Sequence, residues 1–188
     1  MYQTTDFRKG LKIEIAGKPY LIVDFQHVNP GKGSAFVKTK LKNMETGQVL
    51  ERTFKAGVET VDRPDLEEKE MEYLYLDPSG YHFMDQQNYE TLTLSEENVG
   101  DNKYYLQEGI KIFVVYFNGK PISLELPNFV NLKVTETDPG MKGDTAAGGK
   151  KKAILSTGLQ VNVPLFIKTG ELLKIDTRNG EFVERVKE

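Results

Sequence analysis

Apolar and polar residues alternate with a period of two along much of this chain, the pattern of a strand with one covered face. The alternation runs through Leu11-Lys12-Ile13-Glu14-Ile15, Leu21-Ile22-Val23-Asp24-Phe25 and Ala35-Phe36-Val37-Lys38-Thr39-Lys40-Leu41. Turn-forming residues follow each run, at Ala16-Gly17-Lys18-Pro19, Asn29-Pro30-Gly31-Lys32-Gly33 and Glu45-Thr46-Gly47-Gln48. Such turn chemistry at short spacing predicts hairpins, and hairpins closing on one another predict a small SH3-like barrel over residues 1–64.

Asp62-Arg63-Pro64-Asp65 and the charged run Glu67-Glu68-Lys69-Glu70 interrupt the apolar pattern and predict a domain boundary. Beyond it, strands are expected over 71–76, 81–84 and 89–94, with a turn at Asp77-Pro78-Ser79-Gly80. One helical segment is expected. Ser95 opens a short turn, Asp101 is placed to cap 102–107, and Gly109 to end it in a left-handed residue. Strands resume over 111–117 and 122–126 around Asn118-Gly119, a strong two-residue hairpin signal. A third part carries strand patterns over 131–136, 161–163, 165–167, 172–176 and 182–186. Between its first two strands, Asp138 to Lys152 is almost devoid of apolar residues and reads as a long exposed loop. The expected architecture is therefore all-β, with three consecutive small barrels: residues 1–64, then 65–128 and 129–188 as barrels of the oligonucleotide-binding type. If they do not fold back on one another, three such domains make an elongated particle roughly 80 Å long.

Charge changes this picture by part. The chain carries −3 overall, but 1–64 carries +4, 65–128 carries −9 and 129–188 carries +2. Basic ends and an acidic middle fit phosphate contacts by the terminal thirds, because attraction to phosphate follows local charge. Composition excludes more than it selects. There is no cysteine, which removes disulfides and thiolate chemistry, and His27 and His82 are too few and too separated for a zinc site. No metal or cofactor is expected. No Ser, His and acid constellation stands out, so enzyme activity is not expected. No apolar run approaches the roughly 20 residues needed to span a bilayer, and the start of the chain has no secretion-signal pattern; a cytoplasmic protein is expected.

Two segments could carry function. In Asn29-Pro30-Gly31-Lys32-Gly33-Ser34, glycines flank a lysine at a hairpin tip, leaving the backbone narrow enough for Lys32 to enter a tight space. The same residues also describe a solvated turn. The spacing does not fit a phosphate-binding loop, since Gln26 and Gly33 stand where that motif needs glycine and Ser or Thr. In the loop from Gly143 to Lys152, Asp144 and Thr145 offer hydrogen-bonding groups for bases or ribose, and Lys150, Lys151 and Lys152 offer positive charge for phosphate. A flexible solvated loop is the competing reading. A generic RNA-binding or cold-shock-like module would use stacking aromatics, but its candidates, among them Tyr73, Tyr75, Tyr81 and Tyr104, lie in the acidic middle.

The residues resemble the bacterial elongation factor P family from end to end. The resemblance is strongest from Lys151 to Gly170, with its spaced Lys, Gly158, Val163-Pro164 and final Gly170, and extends to Asp6-Phe7-Arg8 with Gly10, Pro30-Gly31-Lys32-Gly33 and Gly143-Asp144-Thr145. It implies an SH3-like (KOW-like) domain followed by two OB-fold barrels in an L shape similar to tRNA. It further implies a monomeric translation factor that binds the 70S ribosome between its peptidyl and exit sites and relieves stalling at consecutive prolines. By position, Lys32, supported by Pro30, Gly31 and Gly33, would reach the CCA end of peptidyl-tRNA and be extended by a lysine-modifying enzyme, with β-lysylation implied by Lys32 and Pro30. Gly143, Asp144 and Thr145 would contact the exit-site mRNA codon. Ribosomal RNA and ribosomal proteins would be the other partners.

Overall fold

A computed structural model describes residues 1–139 and 149–187 of the chain. They form two compact units, one of Met1–Glu68 with Val115–Ser123 and one of Lys69–Val114 with Leu124–Glu188. Among the described residues, secondary structure is almost entirely strand, and no helix is long and apolar enough to cross a membrane.

The first sheet is antiparallel and ordered as its strands follow in sequence: β2 (Lys12–Ile15), β3 (Lys18–Val28), β4 (Phe36–Asn43) and β5 (Val49–Lys55). A two-stranded ribbon of β1 (Tyr2–Gln3) and β6 (Thr60–Val61) accompanies it, with Tyr2 opposite Val61. The inward alternation places Ile13, Ile22, Val37, Leu41 and Phe54 in a fully buried cluster, and Phe7 meets Phe54 edge-on with centroids 5.2 Å apart. Burying such side chains contributes about 1.5–3 kcal/mol each. Two buried polar groups in this core are satisfied: the Thr39 hydroxyl donates to the Arg52 carbonyl, and the Thr4 hydroxyl accepts from the Gly57 N–H.

The second sheet contains β7 (Leu66–Asp77), β8 (Gly80–Asp85), β9 (Thr91–Leu94), β10 (Lys111–Phe117) and β11 (Lys120–Glu125), in the order β11-β10-β7-β8-β9. The third contains β12 (Phe129–Thr137), β13 (Lys150–Leu155), β14 (Gln160–Pro164), β15 (Leu172–Asp176) and β16 (Glu181–Val186), in the order β14-β13-β12-β15-β16. Its core comprises Leu132, Val134, Leu155, Val163, Ile167, Leu173 and Ile175, with Tyr105 and Ile110 packed against it. The curled antiparallel sheets match the all-β architecture expected from the sequence. Asn118 and Gly119 adopt φ values of 49° and 77°, the left-handed pair that a two-residue hairpin turn requires.

Several expectations are corrected. The helix expected over 102–107 is instead a single turn, α1 (Glu96–Val99), running into a 3-10 segment at Gly100–Tyr105. Ser95 is the cap, its hydroxyl accepting from the Asn98 N–H, and Asp101 lies inside the 3-10 segment. The charged run Glu67-Glu68-Lys69-Glu70 belongs to β7 rather than interrupting the strand pattern. Residues 165–167 are not a strand: Pro164 ends β14, and the chain turns so that the Ile167 N–H bonds to the Pro164 carbonyl. Lys150, Lys151 and Lys152 open β13 instead of closing an exposed loop. Strand β5 is an element that the alternation did not reveal.

Candidate functional site

Lys32 stands on the loop between β3 and β4. The two strands pair from Tyr20 opposite Asn43 to Val28 opposite Phe36, with a register shift between Ile22 and Asp24. Ile22, Val37 and Leu41 anchor this hairpin in the core, so its base is fixed by packing and its length by the ladder. Pairing stops at Val28, and Asn29 to Ala35 form the connection. Lys32 lies four positions past Val28, so the loop can carry it up to roughly 13 Å beyond the last pair at ~3.3 Å per extended residue.

Within the loop, Pro30 is half-buried and Gly31, Lys32, Gly33 and Ser34 are exposed. Gly33 has φ of 113°, a conformation that side chains rarely adopt, and a Cβ there would lie 3.8 Å from the Pro30 Cγ. The proline therefore flanks the turn while glycine makes it. Among the described residues no carboxylate forms an ion pair with Lys32, which leaves its ammonium to solvent.

Below the tip, the outer face of the sheet presents Lys38, Lys40 and Lys42 at alternate positions of β4. The period-two spacing of these lysines was visible in the sequence, although it was not read as a site. Asp24, Gln26, Glu51 and Thr53 line a shallow groove with Lys38 and Lys40, so this face is mixed in charge. The Lys9 ammonium lies 3.0 Å from Asp24, and its hydrogen bond and charge, with a smaller contribution from Lys40, hold the Asp24 carboxyl below its ordinary range.

The other candidate lies in the third sheet. Gly143, Asp144 and Thr145 fall outside the described residues. Lys150, Lys151 and Lys152 pair with Pro164, Val163 and Asn162. Strand geometry places alternate side chains on opposite faces. Lys150 and Lys152 are exposed, whereas half-buried Lys151 turns back and donates to the Asp138 carbonyl at 2.6 Å. Two of the three lysines thus remain directed to solvent. The tip at Lys32 belongs to one compact unit and these lysines to the other.

The structure does bring together a serine, a histidine and an acid that the sequence did not single out. In the β7–β8 turn, Asp77 Oδ1 accepts from the Ser79 N–H at 2.8 Å and the Ser79 hydroxyl at 2.5 Å, and lies 2.9 Å from His82 Nε2. His82 Nδ1 faces the Thr93 hydroxyl at 3.1 Å. In a hydrolytic relay the acid and the serine hold opposite nitrogens of the imidazole. Here both face Nε2, so the cluster staples the turn and does not activate the serine. Among the described residues, no group of three or more His, Asp or Glu side chains is placed to hold a metal ion.

Three family models cover most of the chain in sequence: the elongation factor P (EF-P) KOW-like domain over residues 3–59, the elongation factor P (EF-P) OB domain over 66–124 and the elongation factor P C-terminal model over 130–185. The chain is 55% identical over 186 residues to elongation factor P of Bdellovibrio bacteriovorus, covering 99% of this chain and 98% of that one. To elongation factor P of Moorella thermoacetica it is 56% identical over 185 residues, covering 98% and 100%. A solved structure described as eukaryotic translation initiation factor 5A from Methanococcus jannaschii superposes with a TM-score of 0.53 at 20% identity, covering 67% of this chain and 90% of that one, a likeness of fold. The chain belongs to the elongation factor P family. Its role is that of a translation elongation factor, which implies association with the ribosome; such factors are not enzymes in the usual sense.

Proposed function

We propose that this factor binds the 70S ribosome between the peptidyl and exit sites and relieves stalling at consecutive prolines by ordering peptidyl-tRNA through Lys32. The observation that carries this reading is the tip itself: an unpaired, exposed lysine between two glycines, projected beyond a hairpin whose base is locked into a core. A narrow arm of this kind suits entry into a confined space. In this reading the chain works as a monomer with three functional parts, 1–64, 65–128 and 129–188. The first brings Lys32 to the CCA end, and the third directs Gly143, Asp144 and Thr145 to the exit-site codon, with Lys150 and Lys152 facing RNA phosphate.

Proline is a poor partner in peptide-bond formation because its ring restricts the approach of its nitrogen. A factor that holds the peptidyl end in place restores proximity and orientation, which can dominate a barrier of this kind. The ribosome supplies the catalytic centre. Lys32 supplies a cation and hydrogen-bond donors to the CCA backbone, and lengthening it with a β-lysyl group by a dedicated enzyme adds reach and a further amine.

The test is translation in a reconstituted system of a message encoding three consecutive prolines, with wild type and Lys32→Ala compared by the amount of stalled peptidyl-tRNA. Relief by wild type and its loss in the variant, with a proline-free message unaffected, supports the reading. Equal relief by both proteins overturns the role of Lys32. Absence of relief by wild type whose Lys32 peptide carries the added group by mass spectrometry overturns the stalling function.

A further inference from the structure

Arg8 and Arg63 come from distant parts of the first unit and line one cleft, with Tyr2, Lys12, Pro64 and Leu66 among its other walls. The cleft holds about 230 Å³. The backbone at each arginine is fixed. Phe7 is buried against Phe54, the Gly10 N–H bonds to the Ile22 carbonyl at 2.8 Å, and the Leu11 N–H bonds to the Arg8 carbonyl at 3.1 Å. On the other side, Asp62 exchanges two backbone hydrogen bonds with Glu14, at 2.9 and 3.3 Å, and buried Pro64 follows Arg63.

Charge in the cleft is only partly neutralised. Lys12 pairs with Glu68 at 2.7 Å. Among the described residues neither Arg8 nor Arg63 forms an ion pair, and both side chains are exposed. Two unneutralised guanidinium groups over a partly apolar floor select an anion with several oxygens, since the planar fork matches phosphate or carboxylate in two-point contacts. Cavities for small-molecule ligands usually run to ~300–1,000 Å³, so this smaller space suits one charged group of a longer strand rather than a whole metabolite. Tyr2 packs half-buried against the core and forms one wall, and residues 1–64 carry +4, a local charge that draws the closely spaced phosphates of a nucleic-acid strand.

We propose that Arg8 and Arg63 clamp a backbone phosphate of an RNA strand in this cleft, at a site separate from the Lys32 tip and independent of its modification. The site uses the Asp6-Phe7-Arg8 and Gly10 segment, to which the reading of Lys32 gives no role.

The experiment measures fluorescence anisotropy of a labelled single-stranded RNA oligonucleotide with the full-length protein, across about 50 to about 200 mM salt. Arg8→Ala with Arg63→Ala is expected to weaken binding roughly tenfold or more at the low-salt end. The slope of log affinity against log salt should become shallower by roughly 0.7 for each phosphate that is no longer neutralised. Lys18→Ala with Lys38→Ala removes the same charge elsewhere and should have a smaller effect. A double-arginine variant indistinguishable from the Lys18 and Lys38 control would overturn the clamp, as would wild type that fails to bind RNA. Polyglutamate displacing RNA from wild type as effectively as unlabelled RNA would reassign the cleft to an acidic peptide. Loss of RNA binding in the arginine variant with proline-stall relief intact would leave the clamp standing and separate it from the Lys32 reading.

Discussion

A Cβ atom on residue 80 would stand 2.4 Å from the carbonyl oxygen of Leu94, so Gly80 and the end of strand β9 approach as closely as backbones can. Gly80 also has φ of 133°. Gly80→Ala therefore meets both an unfavourable backbone conformation and a backbone obstacle that cannot rotate away. The expected loss is about 2–4 kcal/mol, measured by urea unfolding of the full chain. A loss below about 1 kcal/mol would mean that the β7–β8 turn reshapes at little cost.

Gly180 and Tyr105 make a gentler version of the same approach. A Cβ at 180 would lie 2.9 Å from the Tyr105 hydroxyl, at φ of 72°. Gly180→Ala should destabilise the protein by about 1–3 kcal/mol, and Tyr105→Phe, which removes the obstructing oxygen, should recover part of that loss. A double-mutant cycle checks this: strict additivity of the two changes would show that the hydroxyl is not what the methyl group meets.

The Asp77 cluster sets an acid limit. Hydrogen bonds from the Ser79 hydroxyl and then from His82 lower the Asp77 carboxyl from its ordinary 3.8 to about 2. Because the folded value is the lower one, the stabilisation is present above pH 3.8 and is lost as pH falls through about 2. Asp77→Asn should be less stable than wild type at neutral pH, with the gap closing across that window. Chemical denaturation at several pH values between neutrality and about 2 tests it; a constant gap would place the carboxylate's contribution elsewhere.

At the tip, Gly33→Ala introduces no clash but imposes a side chain on φ of 113°. The expected cost is about 1–2 kcal/mol if the loop is held, or almost nothing if it relaxes to another shape. Either response should reduce proline-stall relief more than Lys18→Ala does. Lys32→Ala, altering an exposed side chain with no ion pair, should leave unfolding within about 0.5 kcal/mol of wild type. A marked fall in its stability would give Lys32 a structural role.

How much of this was legible depended on whether one face of a strand was covered. Lys111 to Phe117 and Leu172 to Asp176 were read with the bounds they have, because their apolar runs face packed cores. Strand β5 escaped notice because Val49 and Leu50 remain substantially exposed and only Phe54 is buried, so no alternation marks it. Lys150 to Lys152 read as loop because backbone pairing with β14 places three lysines in a ladder that composition cannot reveal. Leu165-Phe166-Ile167 read as strand, yet Ile167 fills the core from a turn while Phe166 is 60% exposed. Of the candidate residues, the flanking glycines marked Lys32 as a tip. The pairing of Arg8 with Arg63 across one cleft needed the fold.

The hairpin that carries Lys32 is also a ruler. Its arms advance by ~3.3 Å per residue and reverse their facing at every step. Adding two residues to each of β3 and β4 would move the lysine outward by roughly 7 Å with its orientation kept, whereas adding one to each would turn the outer row of lysines toward the core. Variation in the paired arms is thus open only in whole pleats. Any finer adjustment of how far this factor extends falls to the unpaired connection from Asn29 to Ala35 and to the side chain it carries, where no register has to be kept.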